Sequence, residues 1–214
     1  KFYRILAAVL SVICLSSCAD FLTEAPTTAL SEGTVYSDEA NLEAGVIGVY
    51  WSLKTSNYSW TTQMSEFCSF PSILIHWKDN RTAENYIQCL RLTMFPHSAE
   101  NQGLYDYLYA SIYKCNKMIE AMSISPVDQT YKNEIEGEVK FIRAWQYFAA
   151  VRFWGDIPLI VNTPKNIDET DAPRVHYMEV YKQILSDIEY AEQNMRTPER
   201  VAEVGGMTGR PNRW

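Results

Sequence analysis

Aromatic and polar side chains lie close together in the stretch Trp77-Lys78-Asp79-Asn80-Arg81. A sugar ring has an apolar face bordered by hydroxyl groups, and proteins contact it with aromatic planes and with amide, carboxylate or guanidinium groups. Two more aromatic residues, Tyr58 and Trp60, precede this stretch in the same region. The candidate ligand-binding residues are therefore Trp77, Asp79, Asn80, Arg81, Tyr58 and Trp60. The alternative is that Trp77 packs a loop onto the protein core.

Three carboxylates, Glu134, Glu136 and Glu138, alternate along a predicted helix. A retaining glycosidase needs two carboxyl groups about 5–5.5 Å apart, and an inverting one needs a wider pair. Nothing in the sequence fixes such a pair, and a solvated helix face is the usual explanation of a Glu run. Motifs for a Ser or Cys nucleophile and for a Gly-rich phosphate loop are absent. We predict a protein that is not an enzyme, with a glycosidase fragment as the less favoured alternative.

The first 18 residues have the features of a bacterial lipoprotein signal. Lys1 and Arg4 precede an apolar run, which ends in Leu15-Ser16-Ser17-Cys18. A positive segment, a short apolar segment and small residues before a cleavage point make a secretory signal. The residue after the small pair is Cys18, which would take lipid on its sulfur and become the N-terminus. The run is shorter than the about 20 apolar residues of a membrane-spanning helix. The alternative is an ordinary cleaved signal with an incidental cysteine.

Charge and composition exclude some classes of ligand. The formal net charge is −7, and loss of Lys1 and Arg4 with the signal leaves 17 basic and 26 acidic residues, or −9. Nucleic-acid affinity depends on basic residues that neutralise phosphates, so we expect no nucleic-acid partner. The three histidines are widely spaced and no CxxC motif is present, so we predict no metal site and no cofactor. Cys68, Cys89 and Cys115 are expected to be buried thiols, with one disulfide as the alternative.

Apolar residues at spacings of three and four predict an all-α protein. The predicted helices are 41–54, with Ser37 or Asp38 as its N-cap, then 102–122, 134–154 and 176–195. Residues 55–100 lack this periodicity and contain many Ser, Thr and Asn, so we predict long loops with short helical pieces. No segment shows convincing strand alternation. Antiparallel helices of about 20 residues in pairs are typical of tetratricopeptide-type solenoids.

The helix 134–154 carries apolar residues on two sides, which predicts that it lies between neighbouring helices. Four aromatic residues near it are predicted to pack in the core: Phe141, Trp145, Phe148 and Trp154. Arg143, Arg152 and Asp156 are predicted to form a buried ion pair or to cap a helix terminus. Asn116 is predicted to form a hydrogen bond between helices.

Several segments together resemble the SusD/RagB family. One of them runs from Glu138-Val139-Lys140-Phe141-Ile142-Arg143-Ala144-Trp145 through Phe153-Trp154-Gly155-Asp156-Ile157-Pro158. Two further segments are similar to the family pattern. They are the lipoprotein signal ending in Leu15-Ser16-Ser17-Cys18, followed by Asp20-Phe21-Leu22, and Gly48-Val49-Tyr50-Trp51. The helices that contain Tyr109 to Met118 and Glu179-Val180-Tyr181 also match. The segments occur in family order and cover nearly the whole chain.

The resemblance implies a surface-exposed lipoprotein of the cell outer membrane. Such a protein binds a glycan, or in some members peptides, and delivers it to a SusC-like TonB-dependent transporter. The implied fold is an all-α scaffold of tetratricopeptide-like helix pairs with long irregular loops, truncated here at the C-terminus because family members are more than twice as long. The expected organisation is a signal peptide at 1–17, a lipidated tether at 18–36 and an incomplete N-terminal helical domain at 37–214. A helical-repeat adaptor that binds peptides or proteins is the alternative.

Overall fold

A computed structural model of the chain describes residues 36–54, 99–166, 169, 171–204 and 209–213. Within these ranges the chain forms five helices and two short strands, numbered here in chain order. Their bounds are α1 Glu39–Lys54, α2 Ala99–Ile124, α3 Gln129–Trp154, β1 Ile157–Pro158, β2 Arg174–Val175, α4 Tyr177–Asn194 and α5 Pro198–Glu203. No helix in these ranges is long and apolar enough to cross a membrane.

Helices α1 and α2 pack antiparallel along an apolar seam. Asp38 starts α1 by accepting a hydrogen bond from the backbone N–H of Asn41 at 2.8 Å, which confirms one of the two predicted N-caps. The Ser52 and Ser111 hydroxyls meet at 3.1 Å where the end of α1 lies against the middle of α2, and the Ser125 hydroxyl donates to the Tyr36 carbonyl at the other end of α1. The two helices share fully buried apolar residues with α3: Leu42, Val46, Val49, Cys115, Met118, Met122, Ile135, Val139 and Ile142.

Helix α3 packs against α1, α2 and α4, as its two apolar sides predict. Asp128 caps its start by accepting from the N–H groups of Thr130 and Tyr131, and Gly155 ends it with a φ of 68°. Close packing against the chain that follows α4 needs Gly137, because a Cβ there would lie 3.0 Å from the backbone nitrogen of Met195.

The predicted core position is wrong for two aromatic residues of α3. Trp145 is 37% exposed and Phe148 is 40% exposed. The packed side of α3 at this level is formed instead by Ala144, Tyr147 and Val151. These three residues face the neighbouring helices α2 and α4. With 3.6 residues per turn, Trp145 and Phe148 then lie at the edge of both helix contacts.

Helix α4 is amphipathic and begins with two separate capping groups. Its buried face consists of Val180, Ile184, Asp187 and Ala191. The Nδ1 atom of His176, the N-cap residue, accepts from the Met178 N–H at 3.4 Å, and the Asp156 carboxylate accepts from the Tyr177 N–H at 2.8 Å. Asp156 directly follows α3, so its capping role fixes the start of α4 beside the end of α3.

An antiparallel strand pair joins α3 to α4, although the sequence predicted no strand. Ile157 pairs with Val175 and Pro158 pairs with Arg174, which closes the base of the intervening loop. Each strand has only two residues, too few for an alternating pattern to be recognised in a sequence. The helical class is nevertheless as predicted.

Helix bounds differ from the predicted ones mainly at the N-terminal ends. Helix α2 begins at Ala99 and α3 at Gln129, three and five residues before the predicted starts. Polar first turns carry no apolar periodicity, so the pattern detects a helix only where its packed face begins. Helix α5 was not predicted, because its six residues include none that is buried. Residues 55–98 of the predicted irregular region lie outside the described ranges.

The thiol of Cys115 lies in the core between α2 and α3, where it is 0% exposed. Burial disfavours the thiolate and raises the pKa of Cys115 to about 12. The thiol therefore stays protonated at pH 8, and we expect iodoacetamide to leave it unmodified in the folded chain. Peptide mass spectrometry after labelling tests this, with the urea-unfolded chain as the control. Equal labelling of Cys115 in both states would contradict it.

Candidate functional site

All sequence-predicted site residues lie outside the described ranges: Cys18, Tyr58, Trp60, Trp77, Asp79, Asn80 and Arg81. The helices do define where the chain enters and leaves the region 55–98. Helix α1 runs antiparallel to α2 and ends at Lys54, level with the middle of α2, where Ser52 meets Ser111. The region 55–98 then returns to the bundle at Ala99, the start of α2. The end of α3 and the start of α4 lie there as well, since Trp154 donates to Asn101 and Tyr177 donates to Asp156.

A cluster of aromatic rings occupies this end of the bundle. The ring of Tyr105 stacks on Tyr109 with centroids 4.5 Å apart and meets the edge of Trp154 at 5.3 Å. Phe153 lies 5.5 Å from Trp154, and the Trp154 indole N–H donates to Asn101 at 3.0 Å. All four rings are half-buried. They offer partly exposed aromatic edges beside an amide, the chemistry expected of a sugar contact, next to the point where the region 55–98 returns to the bundle.

The cluster could have been found in the sequence only in part. Tyr105 and Tyr109 are four residues apart on one helix, a spacing that places two side chains together. Their partner Trp154 is almost 50 residues away, and no spacing rule links it to α2. Burial raises the pKa of Tyr109, whose hydroxyl donates to the Pro158 carbonyl at 2.7 Å. That bond ties the cluster to β1.

A buried polar cluster, defined here as Arg143, Asp187 and Asn116, lies in the middle of the bundle. Arg143 donates to both carboxylate oxygens of Asp187, at 2.7 and 2.8 Å, and to the Asn116 side chain at 2.8 Å. Burial alone would lower the pKa of Arg143, but its hydrogen bonds to Asp187 raise it. Arg143 thus forms a buried ion pair as predicted, but its partner is Asp187 and not the predicted Asp156. The predicted hydrogen bond of Asn116 between helices is confirmed.

The other two residues of that prediction take different roles. Arg152 is exposed, and its guanidinium carbon lies 5.3 Å from the centre of the Phe148 ring. Asp156 is exposed and caps α4, so the cap was correctly among its predicted roles. Neither side chain is paired with Arg143 or contributes to the buried polar cluster.

Hydrogen bonds at Ile160 and Thr163 hold the segment after β1 against α2 and α3. Tyr147 and Asn116 donate to the Ile160 carbonyl, at 2.7 and 2.8 Å, and the Ile160 N–H donates back to the Tyr147 hydroxyl. Three residues on, Thr163 donates to the Glu120 carboxylate through its N–H and its hydroxyl. These hydrogen bonds hold the connection between α3 and α4 in place against α2 and α3, which gives the buried polar cluster and its neighbours a structural role.

The carboxylates weighed for acid–base chemistry are not a solvated helix face, which corrects that interpretation. Glu134 and Glu138 are buried, whereas Glu136 on the opposite side pairs with Lys140 at 2.7 Å. Glu134 accepts from Arg196 and Arg200, both at 3.0 Å.

Glu138 makes equally close contacts of its own. It accepts from Arg210 at 2.6 Å and also from the Tyr50 hydroxyl. Arginine side chains thus contact the carboxylate oxygens of both Glu134 and Glu138. The geometry therefore favours a structural role for both residues.

One face of α4 carries apolar side chains that the described residues leave largely open. Met178, Leu185 and Ile188 are 49%, 58% and 40% exposed, and Tyr181 between them meets the edge of the exposed ring of Phe148. Their spacing of three, four and three residues forms a continuous stripe along the helix. A stripe of this kind suits contact with another protein segment.

Among the residues in the described ranges, no group of three His, Cys, Asp or Glu side chains could hold a metal ion.

Comparison with known proteins relates this architecture to a single family. The family model for SusD-like proteins, described as "Starch-binding associating with outer membrane", matches residues 20–213. A SusD-like protein of Formosa agariphila is 27% identical over 194 residues, which cover 90% of this chain and 38% of the relative. A SusD-like protein of Bacteroides ovatus is 24% identical over 196 residues, which cover 90% of this chain and 35% of that protein. The chain thus spans well under half the length of these two relatives.

Solved structures show the same helical fold. A SusD-like protein of Bacteroides fragilis superposes with a TM-score of 0.65 at 23% identity, covering 81% of this chain and 32% of that one. A laminarin-binding SusD-like protein superposes with a TM-score of 0.65 at 21% identity, covering 75% of this chain and 35% of that one. The family match over residues 20–213 confirms the predicted relationship, and the chain belongs to the SusD/RagB family.

Proposed function

We propose that this protein binds oligosaccharide or polysaccharide without cleaving it and delivers the glycan to a SusC-like TonB-dependent transporter. The family match over residues 20–213 carries this proposal, because the family is described as starch-binding and associated with the outer membrane. The laminarin-binding structural neighbour is a second reason to choose a glycan ligand. Delivery to the transporter is the part that rests on the resemblance alone.

We further propose a surface-exposed lipoprotein anchored through lipid on Cys18. In this arrangement residues 1–17 are removed as a signal, residues 18–36 form a tether and residues 37–214 form the helical domain. The support is the positive segment, apolar run and Leu-Ser-Ser-Cys sequence at the start of the chain. The outer-membrane association in the family description agrees with it.

The proposed ligand contacts lie in the region 55–98, with Trp77 as the central aromatic plane. Asp79, Asn80 and Arg81 would supply hydrogen bonds to sugar hydroxyls, and Tyr58 and Trp60 further aromatic surface. The half-buried rings of Tyr105 and Trp154 support this location, because they lie where the region joins the bundle. The absence of catalysis is supported by the arginine partners of Glu134 and Glu138.

Retention on a panel of polysaccharides that includes starch and laminarin tests the proposal. We expect the purified chain to bind one glycan class, and Trp77→Ala to weaken that binding by at least about tenfold, or about 1.4 kcal/mol. Trp145→Ala is the matched control, because Trp145 is a half-exposed tryptophan of α3 outside the region 55–98. It should bind as the unchanged chain does.

Other outcomes of the same experiment would redirect the assignment. Retention that Trp77→Ala leaves unchanged would keep the glycan ligand and remove Trp77 from its site. Shortened glycan products, lost in Glu138→Gln, would instead establish a glycosidase.

A peptide-binding or adaptor function is the second candidate. The exposed apolar stripe of Met178, Tyr181, Leu185 and Ile188 favours it, because apolar and aromatic residues at helical spacing suit a protein or peptide contact. Binding to peptides with no retention on any glycan would make this the leading function. Leu185→Ala would then weaken peptide binding, whereas it should leave glycan binding unchanged.

A further inference from the structure

Three arginines connect the chain after α4 to the helices α1 and α3. This segment, called the strap and defined as residues 196–204 and 209–213, includes the short helix α5, and none of the residues of α5 is buried. Its apolar attachment lies at its beginning, where buried Met195 packs against Gly137. Segments with so little apolar burial are the ones that open locally while the rest of a protein stays folded.

Arg210 links two helices at once. Its guanidinium contacts the Glu43 carboxylate on α1 and both oxygens of the Glu138 carboxylate on α3. It also lies 5.7 Å from the centre of the Tyr50 ring, whose hydroxyl donates to Glu138. Burial alone would lower the pKa of Arg210, but the hydrogen bonds and charges of Glu138 and Glu43 raise it. The strap thus contributes the cation between two otherwise acidic helix faces.

Arg196 also contacts a glutamate on α1 and one on α3, and its partner on α3, Glu134, lies about one helical turn from Glu138. It donates to Glu134 at 3.0 Å, lies 3.6 Å from Glu43 and stacks 4.9 Å from the centre of the Tyr131 ring. Arg200, which is partly exposed, adds a second contact to Glu134. The two ends of the strap are joined by the Arg213 N–H, which donates to the Arg196 carbonyl at 3.0 Å.

We propose that the strap is an electrostatic latch that closes over a groove between α1 and α3 and opens as a unit without unfolding the helices. The arginines of the strap contact Glu43, Glu134 and Glu138 and lie beside the rings of Tyr50 and Tyr131. A closed strap therefore covers an acidic surface that carries two tyrosines. When one arginine is lost, opening lets water solvate the carboxylates that would otherwise stay buried without a cation. Helix α1 stays in place because its apolar residues remain buried against α2 and α3.

Hydrogen–deuterium exchange of the full chain, read by mass spectrometry, tests the latch. In Arg210→Gln we expect amides of the strap, such as those of Val201 and Arg213, to exchange at least about tenfold faster. Amides in the middle of α2 and α3 should keep their unchanged rates. Arg152→Gln is the charge-matched control, because Arg152 is exposed on α3 and contacts Phe148 rather than a carboxylate. It should leave strap exchange unaltered.

A second variant separates the latch from a general loss of stability. Arg196→Gln should open the same strap amides as Arg210→Gln, because both arginines bridge to Glu43. Unchanged strap exchange in both variants would overturn the proposal. So would an equal increase in α2, α3 and the strap, or failure of both variants to fold, since the strap would then belong to the global folding unit.

Discussion

Arg143→Met should lower the free energy of unfolding by about 3–5 kcal/mol, because it leaves a buried carboxylate without its cation. Arg143 and Asp187 have side chains only 5% and 2% exposed, and two hydrogen bonds join them. The substitution also removes the bonds from Arg143 to the Asn116 side chain and to the Val161 carbonyl. Urea unfolding followed by circular dichroism measures the change.

The exposed pair of Lys182 and Glu179 on α4 provides the control. These side chains are 69% and 52% exposed, and they form an ion pair of the same 2.7 Å length as that of Arg143. Lys182→Met should therefore cost less than about 1 kcal/mol. Similar losses in the free energy of unfolding for both substitutions would show that burial does not set the contribution of the Arg143 pair to stability.

The double variant Arg143→Met with Asp187→Leu should lose less free energy of unfolding than the two single variants lose in sum. Removing both charges takes away the carboxylate that the single variant leaves buried and unpaired. A thermodynamic cycle over the four proteins gives the coupling energy of the pair. Additive losses would mean that the two side chains act independently despite their contact.

Leu108→Ala should lower the free energy of unfolding by about 2–5 kcal/mol, the range for a leucine removed from a packed core. Leu108 is 0% exposed and lies among Leu104, Ile112 and Tyr147, where α2 packs on α3. The loss combines the transfer of apolar surface with the cavity left behind, because a core bounded by two long helices can collapse only in part.

Leu185→Ala is the matched control for this cavity. Leu185 is 58% exposed on α4, so its removal from the isolated chain should change the free energy of unfolding by no more than about 0.5 kcal/mol. Urea unfolding of the two variants under one set of conditions makes the comparison. A loss at Leu185 as large as that at Leu108 would mean that the apolar stripe of α4 is covered in solution.

The long helices were predictable because each has an apolar face that repeats over many turns. Helix α4 has the clearest example, with Val180, Ile184 and Ala191 buried where the pattern places them. The local signal for a helix start was also sound at Asp38, the N-cap of α1. Sequence periodicity does not show which side of an aromatic-rich helix faces its neighbours. Trp145 and Phe148 were therefore wrongly predicted to lie in the core.

The polar interior was harder to predict because its partners are distant in the chain. Arg143 pairs with a residue 44 positions away, and the Glu138 partner Arg210 is 72 positions away. A spacing rule reaches only three or four residues along a helix, so it marked Glu134 and Glu138 as exposed charges. The six candidate ligand residues were chosen by composition alone, and the described ranges do not include them.

The loop between β1 and β2 has a consequence for how this domain can vary. Its first part is fixed through Ile160 and Thr163, and its return is fixed by the strand pair and by Asp156 at the start of α4. Extra residues placed between Pro164 and Pro173 would therefore lengthen a closed loop without shifting α3 against α4. Doubling the length of such a loop costs only about 0.6 kcal/mol of closure entropy. This position is thus suited to carrying an inserted epitope or reporter while the helices keep their arrangement.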